Sequence, residues 1–296
     1  MKHAFLIIAY NNWWQLKQLI QMLDDEKNDI FVHIDLKSKD FNISDFVDIT
    51  KKSKIYFYQK YKVYWGGYSI VQTEMFLFET AHKIGYDYYH LLSGSDLPLK
   101  TNSEIHDFFE KNKGKQFIQY DEEKLQHDPE IRRRTKYYHY LQNYRRRFRQ
   151  RWMNELFTFL ERISLVVQIL LCVNRVKDVE WTVKYGSEWV SITDDFVITL
   201  LEQKEKIEKI FSYTNCADEL FVQTVAFNCG FQDTLYRLQS GKTDNARFID
   251  WERGKNGNPY TFKSDDYDLL ESQSAMFARK FSETVDKEII TKISGK

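Results

Sequence analysis

Short apolar runs alternate with amphipathic stretches in the first third of the chain. Residues 4–9, 30–34, 55–58 and 88–92 are runs of strand length. Between them, residues 13–23 and 69–84 place apolar side chains at helical spacing. Helical spacing resumes at residues 102–111, and residues 117–120 again have the pattern of a strand. This alternation predicts a largely parallel sheet with helices on both faces.

Two of the predicted strands end in a carboxylate. Asp35 follows the second strand, and Ser93-Gly94-Ser95-Asp96 follows the fourth, with Pro98 at the exit. Folds of this class bind ligands at the carboxyl ends of parallel strands. Serine, glycine, aspartate and proline are also turn residues, so this stretch alone leaves a binding site and a plain turn equally open.

The last third returns to a globular pattern. Residues 181–184 and 188–192 have the pattern of strands, and residue 194 is expected to cap a helix that reaches residue 210. A further helix is predicted from residue 215 to 227, with Asp218 and Glu219 in its first turn, where the helix dipole favours carboxylates. Residues 248–251 predict a short strand.

Composition narrows the class of protein. The chain has 296 residues, 43% of them hydrophobic, and a formal net charge of zero, so no global field attracts nucleic acid. Three cysteines without metal-ligand spacing are typical of reduced thiols in the cytosol. The first apolar run is too short for a signal peptide, and no run approaches the roughly 20 residues of a membrane span.

Residues 122–178 differ from the rest in composition. Arg132–Arg134, Arg145–Arg147, Arg149 and Arg151 alternate with aromatic residues, and an apolar stretch over 156–173 follows. A solvated helical face and a nucleic-acid surface are two interpretations of this pattern. The favoured one is peripheral contact with an anionic membrane, because basic and aromatic residues next to an amphipathic apolar segment are typical of interfacial helices.

Several catalytic signatures do not occur in the sequence. There is no glycine-rich dinucleotide or phosphate loop, no zinc-binding H-E-x-x-H, and no G-x-S-x-G nucleophile elbow. Interpretations as a dehydrogenase, a P-loop NTPase, a zinc hydrolase or an α/β-hydrolase are therefore disfavoured.

A series of short motifs resembles the core-2/I-branching glycosyltransferases (glycosyltransferase family 14), which include β-1,6-N-acetylglucosaminyltransferases and peptide xylosyltransferases. The motifs occur in the order of that family over most of the chain. They are Ala9-Tyr10, Val32-His33-Ile34-Asp35, Trp65-Gly66-Gly67-Tyr68-Ser69, Leu91-Leu92-Ser93-Gly94-Ser95-Asp96-Leu97-Pro98-Leu99, Gly186-Ser187-Glu188-Trp189, Ala217-Asp218-Glu219 and Phe277-Ala278-Arg279-Lys280-Phe281.

The resemblance implies one GT-A-like catalytic domain over residues 1–296. Residues 1–121 would form the nucleotide-sugar-binding half, and residues 179–296 the half that holds the acceptor and the catalytic base. The basic insert at 122–178 is the part that the resemblance covers least. The implied reaction is an inverting, metal-independent transfer from a UDP-sugar, with N-acetylglucosamine in β linkage as the expected sugar.

The resemblance also assigns roles to residues. Glu219 matches the catalytic base, with a purely structural carboxylate at a helix start as the alternative. Arg279 and Lys280 match the basic motif that binds the diphosphate, and Arg253 and Lys263 are the candidates for a second cation. The remaining residues contact the nucleoside (Tyr10, Asp35, Trp65 and Gly66) or the donor sugar and acceptor (Ser95, Asp96, Glu188, Trp189 and Trp251). Trp189 and Trp251 are equally compatible with core positions.

The chemistry of an inverting transfer gives these roles a reason. A base must deprotonate the attacking hydroxyl, and positive charge must stabilise the departing diphosphate. Many GT-A enzymes hold a metal with Asp-x-Asp at the end of the fourth strand, where this chain has Ser93-Gly94-Ser95-Asp96. Asp266-Tyr267-Asp268 has the letters of that motif but is interpreted as a helix cap. No metal or other cofactor is therefore expected, and Asp96 is expected to position the donor sugar.

These inferences predict an enzyme of bacterial surface polysaccharide synthesis. It would be cytoplasmic, peripheral on the inner face of the plasma membrane, and would act on a glycan or a lipid-linked oligosaccharide. Nucleic acid is not an expected partner. Xylosyl, glucosyl and galactosyl donors stay open, and a non-catalytic protein that binds sugar nucleotides or glycans on the same fold is the rival interpretation.

Overall fold

A computed structural model describes residues 1–144, 148, 150–255 and 257–295. Its strands are β1 (His3–Ala9), β2 (Asn28–Ile34), β3 (Ile55–Tyr58), β4 (Tyr88–Ser93), β5 (Asp96–Pro98), β6 (Ser191–Thr193), β7 (Arg247–Ile249) and β8 (Phe277–Arg279). Its helices are α1 (Trp13–Met22), α2 (Ser69–His82), α3 (Asn102–Lys111), α4 (Glu122–His127), α5 (Pro129–Lys136), α6 (Arg151–Leu170), α7 (Asp194–Glu202), α8 (Lys204–Phe211), α9 (Phe221–Asn228), α10 (Tyr267–Glu271) and α11 (Lys287–Ser294).

The main sheet has five strands in the order β3-β2-β1-β4-β6, all parallel except β6. Alternate residues of β1 enter two separate cores: Ala4 and Leu6 face one, and Phe5 and Ile7 face the other. Helices α2, α7 and α9 cover the first core, while α1, α3 and α11 cover the second. The predicted fold class, a GT-A-like α/β fold with a mostly parallel sheet and helices on both faces, is confirmed.

A smaller sheet joins distant parts of the sequence beside the end of β4. Its order is β5-β8-β7, with β5 antiparallel and β7 parallel to β8. Asp96 is the register partner of Arg279, and Ile249 lies opposite Arg279 on the other side. The stretch Ser93-Gly94-Ser95-Asp96 is therefore the tight connection that carries the chain from the large sheet into the small one.

The predicted strand at residues 181–184 is wrong. Side chains of α9 satisfy its backbone instead: Thr182 N donates to Asn228 Oδ1 (2.9 Å) and Lys184 N donates to Thr224 Oγ1 (3.0 Å). The strand predicted at 188–192 is shorter and begins at Ser191. Residues 117–120 form isolated bridges to Ser191 and Gly186 rather than a strand.

The starts of several helices depend on specific side chains. Thr101 caps α3 through a capping box with Glu104, and Ser69 is the first residue of α2. The helix expected over 194–210 divides at Gln203 into α7 and α8. Thr193, not Asp194, precedes α7, because the Asp194 carboxylate accepts a hydrogen bond from the Tyr89 hydroxyl at 2.6 Å.

Asp218 and Glu219 do not lie in the first turn of α9. They form a short 3-10 turn, Ala217–Glu219, that ends before α9. Cys216 enters this turn with a left-handed φ of 50°, and its N–H donates to the carbonyl of Gly66 at 2.9 Å. A tertiary contact therefore shapes the turn, and the prediction of one helix from residue 215 to 227 is wrong because α9 begins only at Phe221.

The insert forms helices α4, α5 and α6. The Arg145–Arg147 cluster and Arg149 lie outside the described residues. Within the described chain, no helix has both the length and the apolar character needed to cross a membrane.

Candidate active site

Asp96 and Arg279 face each other across the small sheet. Ser93 donates to the buried Asp96 carboxylate through its N–H (2.8 Å) and its hydroxyl (2.9 Å), and Arg279 Nη1 lies 3.3 Å from Asp96 Oδ1. Burial raises the pKa of Asp96, and the Arg279 guanidinium opposes that rise. Asp96, which we expected to hold the donor sugar, therefore positions a cation in this structure.

Arg279 also stacks on an aromatic ring. Its guanidinium carbon lies 4.1 Å from the ring centroid of Trp189, which is a favourable cation–π arrangement. Trp189 is buried, so of its two predicted roles the structure shows a core position beneath the arginine.

Lys280 continues the basic pair. Burial and the adjacent Arg279 lower the pKa of Lys280. In the part of the chain that the structure describes, no carboxylate lies within ion-pair distance of its ammonium group. Two neighbouring cations, one of them without a counter-ion among the described residues, are suited to binding an anion.

Glu219 is held by an arginine of the insert. Arg134 Nη1 on α5 lies 2.5 Å from Glu219 Oε2, and the Glu219 side chain is 30% exposed. Burial disfavours the charged form of Arg134, but Glu219 together with Cys216 and Tyr185 raises the pKa of Arg134. The carboxylate is thus both oriented and open to a reactant.

Gly186 brings a third segment to this point. Its N–H donates to the Glu219 carbonyl at 3.0 Å, and a Cβ at residue 186 would lie 1.8 Å from the carbonyl oxygen of Gln119. Only glycine allows the two backbones to approach so closely. Burial and the nearby Glu219 raise the pKa of the neighbouring Tyr185.

Three further carboxyl groups, those of Glu74, Glu188 and Asp218, interact with one another near Glu219. Burial, Glu188 and Asp218 raise the pKa of Glu74, and burial and Asp218 raise the pKa of Glu188. Burial and Glu219 raise the pKa of Asp218 to about 7. Arg279 and Asp96 also act electrostatically on Glu188. Residues 186–189 connect the two ends of this region, because the Gly186 N–H donates to the Glu219 carbonyl and the Trp189 ring lies against the Arg279 guanidinium.

The predicted nucleoside residues form a second cluster at the ends of β1 and β2. Asp35 Oδ1 accepts hydrogen bonds from the N–H groups of Lys37 (2.9 Å) and Val63 (3.4 Å), and Lys37 Nζ lies 3.3 Å from Asp35 Oδ2. The Tyr10 carbonyl accepts from the Ser38 hydroxyl at 2.7 Å, while the Tyr10 ring is exposed. The buried Asp35 carboxylate therefore orders the adjoining loops.

Trp65 and Gly66 lie between that cluster and the turn Ala217–Glu219. Trp65 is exposed, whereas Gly66 lies against Asn215 and Cys216 with a φ of +71°. A Cβ at residue 66 would lie 3.0 Å from the Asn215 side chain. The structure thus places Gly66 beside the segment that carries Glu219.

Ser95 and Trp251 lie near the small sheet. The Ser95 carbonyl accepts from Phe281 N at 2.9 Å, so its backbone anchors the segment after Lys280. Trp251 follows β7 and is 59% exposed, which rules out the core alternative for this residue.

Of the two candidates for a second cation, Arg253 is occupied elsewhere, and the role of the Lys263 ammonium group stays a prediction. Arg253 forms ion pairs with Asp250 (2.5 Å) and Asp266 (2.6 Å). The Lys263 N–H donates to Asp266 Oδ2 at 2.8 Å, so the interpretation of Asp266 as a cap is confirmed. Among the described residues, no group of three His, Cys, Asp or Glu side chains converges to hold a metal ion.

Arg134, Glu74 and Arg247 did not emerge as site residues from the sequence. Glu74 had a usable signal, since it is a carboxylate on the apolar side of α2. Arg134 had none, being one of three consecutive arginines. Arg247, the first residue of β7, has a buried side chain that donates to the carbonyls of Val190 (2.7 Å) and Leu91 (3.2 Å). Burial lowers its pKa to about 9.

The chain is similar to a known protein family and to several curated proteins. The family model described as Core-2/I-Branching enzyme matches residues 3–274. Human xylosyltransferase 2 is 24% identical over 93% of this chain and 31% of its own length, and the xylosyltransferase of Ciona intestinalis is 22% identical over 95% of this chain and 32% of its own length. The chain thus spans about a third of these curated relatives.

A solved structure of mouse xyloside xylosyltransferase 1 in its apo form covers 94% of this chain, and the match includes 96% of that protein. Its sequence identity is 11% and its TM-score is 0.41. The family match is the stronger finding because it includes the whole main sheet and every motif up to Ala217-Asp218-Glu219, although it ends before β8 and the Phe277–Phe281 motif. The chain belongs to the Core-2/I-branching enzyme family of glycosyltransferases.

Proposed function

We propose that this protein transfers a sugar from a UDP-sugar to a hydroxyl group of a glycan with inversion, and that it does so without a metal. The observation that carries the proposal is the short segment 186–189, which contacts the Glu219 backbone at one end and the Arg279 guanidinium at the other, while the Glu219 side chain is partly exposed. Such a site places a base and an anion-binding pair close together, as a direct displacement at a sugar carbon requires.

Glu219 is the proposed general base. Its carboxylate is held by Arg134 at 2.5 Å and remains 30% exposed, so an acceptor hydroxyl has access to it. The proton of that hydroxyl would pass to Glu219 while the oxygen attacks the anomeric carbon. The bond from that carbon to the UDP oxygen breaks, and UDP leaves with the bonding electron pair.

Arg279 and Lys280 are the proposed partners of the leaving diphosphate. Asp96 and Trp189 both contact the Arg279 guanidinium, so its position is set before the donor arrives. Preorganised positive charge of this kind stabilises a developing anion more than mobile charge does.

The identity of the donor is a choice between two sugars. The motif resemblance predicts N-acetylglucosamine, whereas the curated relatives bear the name xylosyltransferase. We therefore propose UDP-xylose and UDP-N-acetylglucosamine as the first donors to test. A glycan or lipid-linked oligosaccharide of surface polysaccharide synthesis, at the cytoplasmic face of a membrane, is the proposed acceptor.

UDP release from UDP-xylose, UDP-N-acetylglucosamine, UDP-glucose and UDP-galactose tests the proposal, each with an oligosaccharide panel and with or without EDTA. We expect release with one donor, retained in EDTA, and a loss of at least about a hundredfold in Glu219→Gln. Glu202→Gln, an exposed glutamate at the end of α7, is the matched control.

Three outcomes would contradict the proposal. Wild-type turnover by Glu219→Gln would remove the proposed base. Strict dependence on a divalent metal would remove the role given to Arg279 and Lys280. Calorimetric binding of a UDP-sugar without turnover on any acceptor would favour the non-catalytic binding protein.

A further inference from the structure

Helix α6 buries two polar side chains, Glu161 and Gln168, and exposes most of its large apolar ones. Asn154, Thr158, Glu161 and Gln168 lie on one side, and both Glu161 and Gln168 are buried. Surface helices ordinarily have the reverse arrangement, with apolar residues on the core side. This orientation therefore needs a specific cause and a reason.

The cause is a set of hydrogen bonds to residues 138–141. His139 Nδ1 lies 2.8 Å from Glu161 Oε1, and Leu141 N donates to Glu161 Oε2 at 3.2 Å. About two turns further along the helix, Tyr138 N donates to Gln168 Oε1 (2.8 Å) and Gln168 Nε2 donates to the Tyr138 carbonyl (2.9 Å). These polar contacts hold α6 in one rotational setting about its axis.

In that setting a continuous apolar stripe faces outward. Its members recur every three or four residues, so they lie on one face of the helix. Phe159 is 58% exposed and Leu170 is 76% exposed. The exposed apolar residues of the stripe are Trp152, Leu156, Phe159, Leu160, Ile163, Val166, Val167 and Leu170.

The sequence that precedes and forms α6 has an excess of positive charge. Residues 145–171 contain six arginines and two glutamates, and one of those glutamates, Glu161, is the buried partner of His139. Arg151 and Arg162 are exposed on α6 itself. This excess attracts an anionic surface and is repelled by a second copy of the same helix.

We propose that the outward stripe of α6 lies in the interface of an anionic lipid bilayer, parallel to its plane. An apolar face of large side chains, a tryptophan at one end and flanking arginines are the features that bind such a surface. Helix α6 has 20 residues, but no described helix is both long and apolar enough to cross a membrane, and Glu155, Glu161 and Arg162 interrupt its apolar sequence, so it lies on the bilayer rather than across it. This proposal is independent of the transfer reaction.

Cosedimentation of the whole protein with vesicles tests the proposal. The vesicles are phosphatidylglycerol mixed with phosphatidylcholine, or phosphatidylcholine alone. We expect the wild type to prefer the anionic vesicles and to lose binding as salt increases. Phe159→Ser combined with Leu170→Ser should lower partitioning at least about tenfold, because it removes two large apolar side chains from the interface.

The matched control is Ile43→Ser combined with Val47→Ser, two apolar residues that are similarly exposed at another surface. This variant should bind as the wild type does. Arg151→Glu combined with Arg162→Glu should weaken binding to anionic vesicles by about tenfold or more, with little change on neutral ones. Thermal unfolding checks that every variant folds.

Equal sedimentation of the stripe variant and the wild type would overturn the proposal. So would a dimer in sedimentation velocity that the stripe variant dissociates while vesicles bind neither protein, because the stripe would then contact a second copy. UDP release with a soluble acceptor is measured in parallel, so that a failure of the lipid contact is distinguished from a failure of the enzyme.

Discussion

Arg134 and Glu219, 85 residues apart in sequence, form an ion pair of 2.5 Å between the basic insert and the turn that carries the proposed base. The insert is therefore part of the candidate site as well as a surface feature. Arg134 acts on the reaction through Glu219, so it is a positioning residue.

Replacing Arg134 by alanine is expected to lower kcat by about ten- to a hundredfold, because a misplaced base loses alignment with the acceptor hydroxyl. KM for the donor should change much less, and Arg134→Lys should restore part of the rate. Steady-state kinetics measure both effects. Arg133→Ala removes the adjacent exposed arginine, which pairs with Glu130, and should leave kcat unchanged. An equal loss in both alanine variants would contradict a role specific to Arg134.

Asp218 should make stability fall as pH rises. Its pKa is about 7 in the folded protein and near 3.8 in the unfolded chain, so between these values the folded state keeps a proton that the unfolded state has lost. This group alone lowers the free energy of unfolding by about 1.4 kcal/mol per pH unit in that window. Urea unfolding at pH 5 and pH 6.5 should show a smaller decline for Asp218→Asn than for the wild type. Parallel declines would show that Asp218 is ionised in the folded protein.

Substitutions of Arg279 and Lys280 should have different effects on the stability of the fold, although both residues are proposed to bind UDP. Lys280→Ala is expected to weaken UDP binding about tenfold or more and to change the free energy of unfolding by less than about 0.5 kcal/mol. Arg279→Met leaves the buried Asp96 without its cation, so we expect this variant also to lower the free energy of unfolding by about 2–3 kcal/mol. Calorimetry with UDP and urea unfolding measure the two effects. Unchanged UDP binding in Lys280→Ala would remove this residue from the site.

We expect the Glu74 side chain to lower the free energy of unfolding. It is fully buried on α2, and neither carboxyl oxygen has a hydrogen-bond partner among the residues that the structure describes. Glu74→Met is expected to increase the free energy of unfolding by about 1–3 kcal/mol, because it removes an unsatisfied polar group at similar volume. Glu79→Met on the same helix, where the glutamate pairs with Lys204, should change it by less than about 1 kcal/mol. A destabilised Glu74→Met would indicate that the carboxyl group is satisfied.

The sequence by itself determined the four parallel strands and the helices beside them, since apolar periodicity is a local property that burial on a sheet reinforces. It also identified the motifs that share the small sheet, including Asp96 and Arg279. It misjudged residues 181–184 and the turn before α9, because contacts with α9 and Gly66 decide their backbone.

Only the tertiary structure decided which arginine of Arg132–Arg134 reaches Glu219, that Glu74, Glu188 and Asp218 form one group of carboxyl groups, and which way α6 faces. The physical reason is the same in all three cases. A charged or polar side chain takes its role from partners that are distant in sequence, and the packing of whole elements selects those partners.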